Sequence, residues 1–164
     1  MGDQIKVYKS RKIENINRSD TLAIRLKAGL STCLDLDGAK NIFDFITVES
    51  MVDYTYRMTD IVTYDDEAAY AIEFEQREDI DRPLYKGTIY INTVDYGILN
   101  VEFEINPTLI HKIKDTFISN TSRGFNTWPV SVRYSVSYRK VNNRYFLSHV
   151  RGDLVFASKQ KKKL

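Results

Sequence analysis

Side chains able to do covalent chemistry are few: one cysteine, Cys33, and two histidines, His111 and His149. A nucleophilic pair needs a base within hydrogen-bond reach and a third group to orient that base. Cys33 precedes an expected helix start, where the helix dipole would favour a thiolate. It also sits beside Leu34 and Leu36, and it reads as a small buried hydrophobe. His111 is expected on a helix surface and His149 in a strand. The carboxylates come in pairs, Glu73 with Glu75 and Glu102 with Glu104, two residues apart on expected strands, so that each pair faces one side. With Lys86, Arg133 and Arg139 as cross-strand partners, they read as the polar face of a half-exposed sheet and not as a glycosidase-like acid and base. Asp35, Asp37 and Gly38 approximate the start of a calcium loop, but the third acidic position and the spacing to Glu49 depart from its twelve-residue pattern. A glycine-rich phosphate loop, a two-cysteine metal knuckle and a paired-histidine motif are all missing from the sequence. The expectation is therefore a protein that is not an enzyme and that has no catalytic, cofactor or metal residues.

Charge narrows the partners. The formal net charge is +2 over 164 residues, yet Lys159, Lys161, Lys162 and Lys163 crowd the C-terminal end. Without them the rest is slightly acidic, which argues against a nucleic-acid partner, because displacing counterions takes basic side chains gathered on one folded face. The lysine run reads as a solvated tail. Eleven tyrosines and eight phenylalanines against one tryptophan favour strands, where rings pack on a pleated surface. Without basic neighbours these tyrosines read as core and cross-strand contacts and not as a stacking platform for bases or sugars. No run approaches the ~20 apolar residues of a membrane helix, so the chain is not expected to span a membrane. Met1 to Lys12 has charges and no apolar run, and no signal peptide is read there. A single cysteine excludes an intramolecular disulfide.

These side chains must be positioned by elements that the hydropathy rhythm outlines. Residues 1–20 are expected as a flexible lead-in, with a short strand at Ile5 to Tyr8, residues 21–158 as a single β-rich domain, and residues 159–164 as the lysine-rich tail. Leu22, Ile24 and Leu26 alternate with Ala23, Arg25 and Lys27 as a strand ending near Gly29. Leu36, Ala39, Ile42 or Phe43, and Ile46 recur at three to four residues, which predicts a helix over Asp35 to Ile46. Tyr54, Tyr56 and Met58, then Tyr70, Ile72 and Phe74, alternate with polar residues around a turn at Tyr64 to Glu67, a hairpin pattern. A second hairpin is expected from Tyr85 to Ile91 and Ile98 to Ile105. Asn106 before Pro107 is an N-cap and first-turn signature, and Leu109, Ile113 and Phe117 place an apolar stripe on the helix that follows. After a loop at Asn120 to Trp128, Val130 to Arg139 alternates clearly, Asn142 and Asn143 suit a tight turn, and a last strand runs from Tyr145 to about Phe156. The fold class expected is α+β and β-dominated: an antiparallel sheet of about seven strands with two short helices on its apolar face.

From about Leu26 onward the chain resembles a domain of Bacteroides-group cell-envelope proteins known as carboxypeptidase-like regulatory domain proteins. The likeness rests on LKAGLSTCLDLDGAKN at Leu26 to Asn41, AAYAIEFEQ at Ala68 to Gln76, YKGTIYINTVDYGILNVEFEI at Tyr85 to Ile105 and VSYRKVNNRYFLSHVRGDLVF at Val136 to Phe156. The hairpin at Tyr85 to Ile105 also looks like the repeating unit of the lipoprotein-carrier fold, an open half-barrel whose strongly curved sheet wraps around helices. What the resemblance implies is a non-catalytic piece of an exported protein, periplasmic or outer-membrane associated. It would bind a lipid, another apolar ligand or an envelope protein partner, or act as a purely structural module. Helices around Ile42 and Ile113 would then plug the concave face, and Tyr54, Tyr56, Phe103, Ile113 and Phe117 are the expected ligand-binding residues.

Overall fold

The computed structural model describes residues 24–26, 34–113, 117–121 and 124–160. The expected lead-in, the strand at Ile5 to Tyr8, Cys33 and the tail from residue 161 lie outside them. Six strands form one antiparallel sheet in the order β2-β3-β4-β5-β7-β8: β2 is Tyr54–Tyr64, β3 Glu67–Gln76, β4 Tyr85–Asn92, β5 Ile98–Ile105, β7 Phe125–Val141 and β8 Arg144–Gln160. The sheet is open, with β2 and β8 at its edges. A separate two-stranded sheet pairs β1, Ile24–Leu26, with β6, Ile118–Thr121. The hairpins close where the turn chemistry demands. Asp65 and Asp66 have φ of 49° and 65°, and Asn142 and Asn143 have 50° and 60°. Two successive left-handed residues match the twist of the flanking strands, and short Asx side chains tolerate that region best after glycine.

Alternation sends one set of side chains to a core. Tyr54, Phe74, Ile89, Val101, Phe103, Val136 and Tyr138 gather there with Phe43 and Phe45 from the segment before β2. Phe45 is only 1% exposed and stacks on Phe74 with ring centroids 4.3 Å apart. A smaller cluster of Ile105, Ile110 and Val132 continues this core, with Ile113, Phe117 and Leu154 packed against it.

Two expected helices are corrected. Among the described residues the helical elements of the chain are short 3-10 turns, Asp44–Ile46, Met51–Asp53 and Ile110–Ile113, so the α+β, half-barrel reading gives way to an open sheet covered by a segment of turns and 3-10 helix. The first helix fails because its segment is rich in residues that compete with helical hydrogen bonding. Asp37 Oδ1 accepts from the Ala39 amide at 3.1 Å, and the Gly38 amide donates to the Tyr138 hydroxyl at 2.7 Å, tying this segment to the sheet. Phe43 and Phe45, two apart and the second inside the 3-10 turn Asp44–Ile46, are both buried while Ile42 is exposed, which is not the single-face rhythm of a continuous α-helix. The second begins as its signature requires, Asn106 Oδ1 accepting from the Thr108 amide at 3.0 Å, and then tightens into the 3-10 turn Ile110–Ile113. The loop expected from Asn120 to Trp128 is shorter, since β7 already starts at Phe125.

Candidate functional site

The wet face of the six-stranded sheet carries polar side chains in rows fixed by strand register. The first row crosses the sheet as Thr55, Glu75, Lys86, Glu104, Arg133 and Asp153. The second is Arg57, Glu73, Thr88, Glu102, Ser135 and Arg151. A third holds Ala71, Tyr90, Asn100, Ser137 and His149. The first two rows, with Ser137 and His149 of the third, border a groove of about 1200 Å³ that reaches every strand of the sheet. Tyr56, Phe74, Gly87, Phe103 and Tyr134 border its floor between the polar positions.

Ion pairs knit the first two rows. Glu104 takes Lys86 at 3.3 Å and Arg133 at 2.8 Å, Arg57 meets Glu73 at 2.8 Å, and Arg151 meets Asp153 at 2.9 Å. One end of the groove is walled by Tyr64, which a register slip between Met58 and Asp60 turns to the wet face. Such a bulge re-aims every later side chain of its strand. The Tyr64 ring stacks on Tyr90 with centroids 5.3 Å apart, and its hydroxyl lies 3.3 Å from Ser137 Oγ. The strand partners Ala69 and Ala71 on this stretch are small and buried. Burial pushes the Tyr90 hydroxyl pKa up, and the charges of Glu102 and Glu73, with Tyr64, add to it.

Ser137 beside His149 has the look of a nucleophile and base, with Oγ and Nε2 3.3 Å apart. The hydrogen-bond order speaks against that role. Asn100 Nδ2 donates to Glu102 Oε1 at 3.2 Å, which leaves Asn100 Oδ1 to accept from Ser135 Oγ at 3.2 Å and Ser137 Oγ at 2.9 Å. A hydroxyl has one proton to give, and the Ser137 proton goes to Asn100. With that proton on Asn100, the Ser137–His149 contact is a hydrogen bond from His149 Nε2 to Ser137 Oγ at the edge of a part-buried polar network. Among the described residues, no three His, Cys, Asp or Glu side chains gather as a metal site, and no helix is long and apolar enough to cross a membrane.

The residues expected to bind a ligand are divided between packing roles. Tyr54 and Phe103 are buried in the main cluster, where Phe103 meets Phe45 at 5.2 Å and Tyr85 at 5.4 Å between ring centroids. Tyr56 lies against the same cluster, and its hydroxyl donates to the Phe45 carbonyl. Ile113 and Phe117 belong to the smaller cluster. Burial pushes the Tyr54 hydroxyl up to about 12. Sequence reasoning read Glu73, Glu75, Glu102 and Glu104 with Lys86, Arg133 and Arg139 as a polar face, and its alternation put Arg57, Asn100, Ser135 and Ser137 on the polar sides of their strands; it missed Tyr64 and Arg151, and Arg139 instead sits opposite Phe146 of β8. The two-residue rhythm of β2, β5, β7 and β8 carried the signal for all but Tyr64, whose face the bulge reverses, and strand order decides which of them become neighbours. Compared with known proteins, the chain matches no family model, no curated protein and no solved structure.

Proposed function

We propose that this chain is a non-catalytic binding module whose working surface is the polar groove of its sheet. The observation that carries this reading is the contrast between the two faces. The apolar face is already occupied by the chain's own Phe43 and Phe45, whereas the groove over the wet face is a concavity of about 1200 Å³ walled by side chains of both signs. Exposed ion pairs of the kind that line it contribute only ~0–1 kcal/mol each, so a polar partner can exchange them at little cost. Sites of this size with converging polar groups suit ligands larger than a single metabolite, and a protein partner is the class we favour. A lipid at Tyr54 and Phe103 would have to displace Phe43 and Phe45 from a filled core, at a cost comparable to deleting buried rings. The cell-envelope setting, periplasmic or outer-membrane associated, belongs to this proposal on the strength of the likeness quoted above.

The test is a titration of ¹⁵N-labelled protein with short capped peptides of differing charge, soluble glycans and a fatty acid. Peptide-induced shifts concentrated at Arg57, Glu73, Thr88, Glu102, Ser135 and Arg151 are expected. Shifts from the fatty acid centred on Tyr54, Phe103 and Ile113, with none in the groove from any probe, would sink it.

A further inference from the structure

We propose that the groove seats the lysine or arginine side chain of an extended segment of a protein partner, above Thr88 and between Glu73 and Glu102. This rests on the groove being the binding surface. Two adjacent rows of the same sheet differ in their order of charge. In the first, sign alternates strand by strand, Glu75, Lys86, Glu104, Arg133, Asp153. In the second, the positions next to Lys86 and Arg133 along β4 and β7 are hydroxyl residues, and the order runs Glu73, Thr88, Glu102, Ser135. The carboxylates repeat while the cations between them do not. Neighbouring strands lie ~4.8 Å apart, so Glu73 and Glu102, one on each side of β4, stand on the order of 10 Å apart over the short Thr88 side chain. Lys86 fills the equivalent space one row down, reaching Glu104 at 3.3 Å.

Three further observations point the same way. Glu102 has the neutral Asn100 amide as its hydrogen-bonded neighbour, and the cation on Glu73 is Arg57, which comes from the outer side at the sheet edge. Anionic side chains around the groove outnumber cationic ones, five to four, so that one added positive charge balances it. The negative field of Glu102 and Glu73 extends to the next row, where it adds to the upward push that burial gives Tyr90. A free amine would use a small part of this space. A polypeptide carrying the cation also lays backbone amides along Ser135 and the charged rims, and the groove's reach across all strands of the sheet suits such length. Charge complementarity therefore selects a basic segment over an acidic one, since like charges set opposite Glu102 are repelled.

The experiment uses the full chain and three capped heptapeptides of glycine and serine, identical except for a central lysine, acetyl-lysine or glutamate, with a neutral oligosaccharide beside them. The lysine peptide is expected to shift the amides of Thr88, Glu102 and Ser135, to bind about fivefold or more tightly than the acetyl-lysine peptide, and to weaken with salt. Thr88→Lys places the chain's own ammonium in the gap and should remove this preference, while Val94→Lys, which adds the same charge on the exposed β4–β5 turn outside the groove, should preserve it. Thermal midpoints of both variants close to wild type separate loss of the seat from loss of the fold. Equal shifts from the acetyl-lysine or glutamate peptide, or stronger ones from the oligosaccharide, overturn the cationic seat and leave the groove as a binding surface. No shift in the groove from any probe overturns both.

Discussion

Gln76 holds together a loop that has little secondary structure of its own. Buried at the end of β3, it donates from Nε2 to the Ile80 carbonyl at 2.7 Å and the Arg82 carbonyl at 3.1 Å, and its Oε1 accepts from the Leu84 amide at 2.9 Å. Gln76→Leu leaves these backbone groups without their partner, and a loss of ~1–3 kcal/mol is expected; an unchanged urea midpoint would show that the loop finds other partners. Gly87 acts through what it lacks. A Cβ there would lie 2.0 Å from the Glu102 carbonyl oxygen and 2.7 Å from Phe103 Cα, so β4 approaches β5 more closely than any side chain permits. Gly87→Ala should therefore destabilise by ~1–3 kcal/mol, seen as a fall in the thermal midpoint of several degrees, and wild-type stability would contradict the close approach. Neither role is legible in one dimension. Gln76 ends the strand pattern EFEQ as an ordinary polar residue, and Gly87 marks a hairpin motif without saying which backbone it meets.

Elements are joined by a clasp between the β4–β5 turn and the far end of the β7–β8 ribbon. Asn92 Oδ1 accepts from the Val94 amide at 2.8 Å and shapes the turn. Asp95 then accepts from Lys140 Nζ, from the Tyr145 hydroxyl at 2.8 Å and from the Gly97 amide at 3.1 Å. Lys140 holds the Asp95 carboxyl down at about 2, with the Gly97 amide and the Tyr145 hydroxyl adding to the effect. A carboxyl depressed below its unfolded value, ~3.9, contributes stability that is fully present above that value and is lost as pH falls through the folded one. Wild-type stability should thus decline between about pH 4 and pH 2, and Asp95→Asn should be less stable at neutral pH and flatter across that window in chemical denaturation. Parallel curves for the two proteins would remove Asp95 from the account. At this scale the strands were readable because alternation is a local property, and so were the turns at Asp65–Asp66 and Asn142–Asn143. The helices were misread for the complementary reason: a three-to-four spacing of apolar residues is compatible with a run of turns when Asp, Asn and Gly offer the backbone other partners, and burial of Phe43 and Phe45 on the sheet decided the matter.

Burial is uneven over the whole molecule. Five of the eight residues of β5 are buried, whereas β8 has none fully buried over its 17. The β5–β7 register covers only residues 133–137 of β7, so both ends of the β7–β8 ribbon run past the sheet. Amides of β5 should accordingly exchange with solvent about tenfold or more slowly than those at the ribbon ends, because local opening exposes little there to resist it; uniform protection across β5 and β8 would argue for a cover on the edge strand. The same unevenness explains how much of the site could be read in advance. That one face is wet and one dry follows from the amino-acid sequence alone, since side chains alternate on any strand whatever lies beside it. So do the paired carboxylates of β3 and β5. That Thr88 falls between Glu73 and Glu102, that Tyr64 turns to the wet face after a bulge, and that phenylalanines from the segment before β2 fill the dry face depend on strand order and register. These are set by long-range pairing and packing between segments far apart along the chain, for which a local rhythm of polar and apolar residues carries no address.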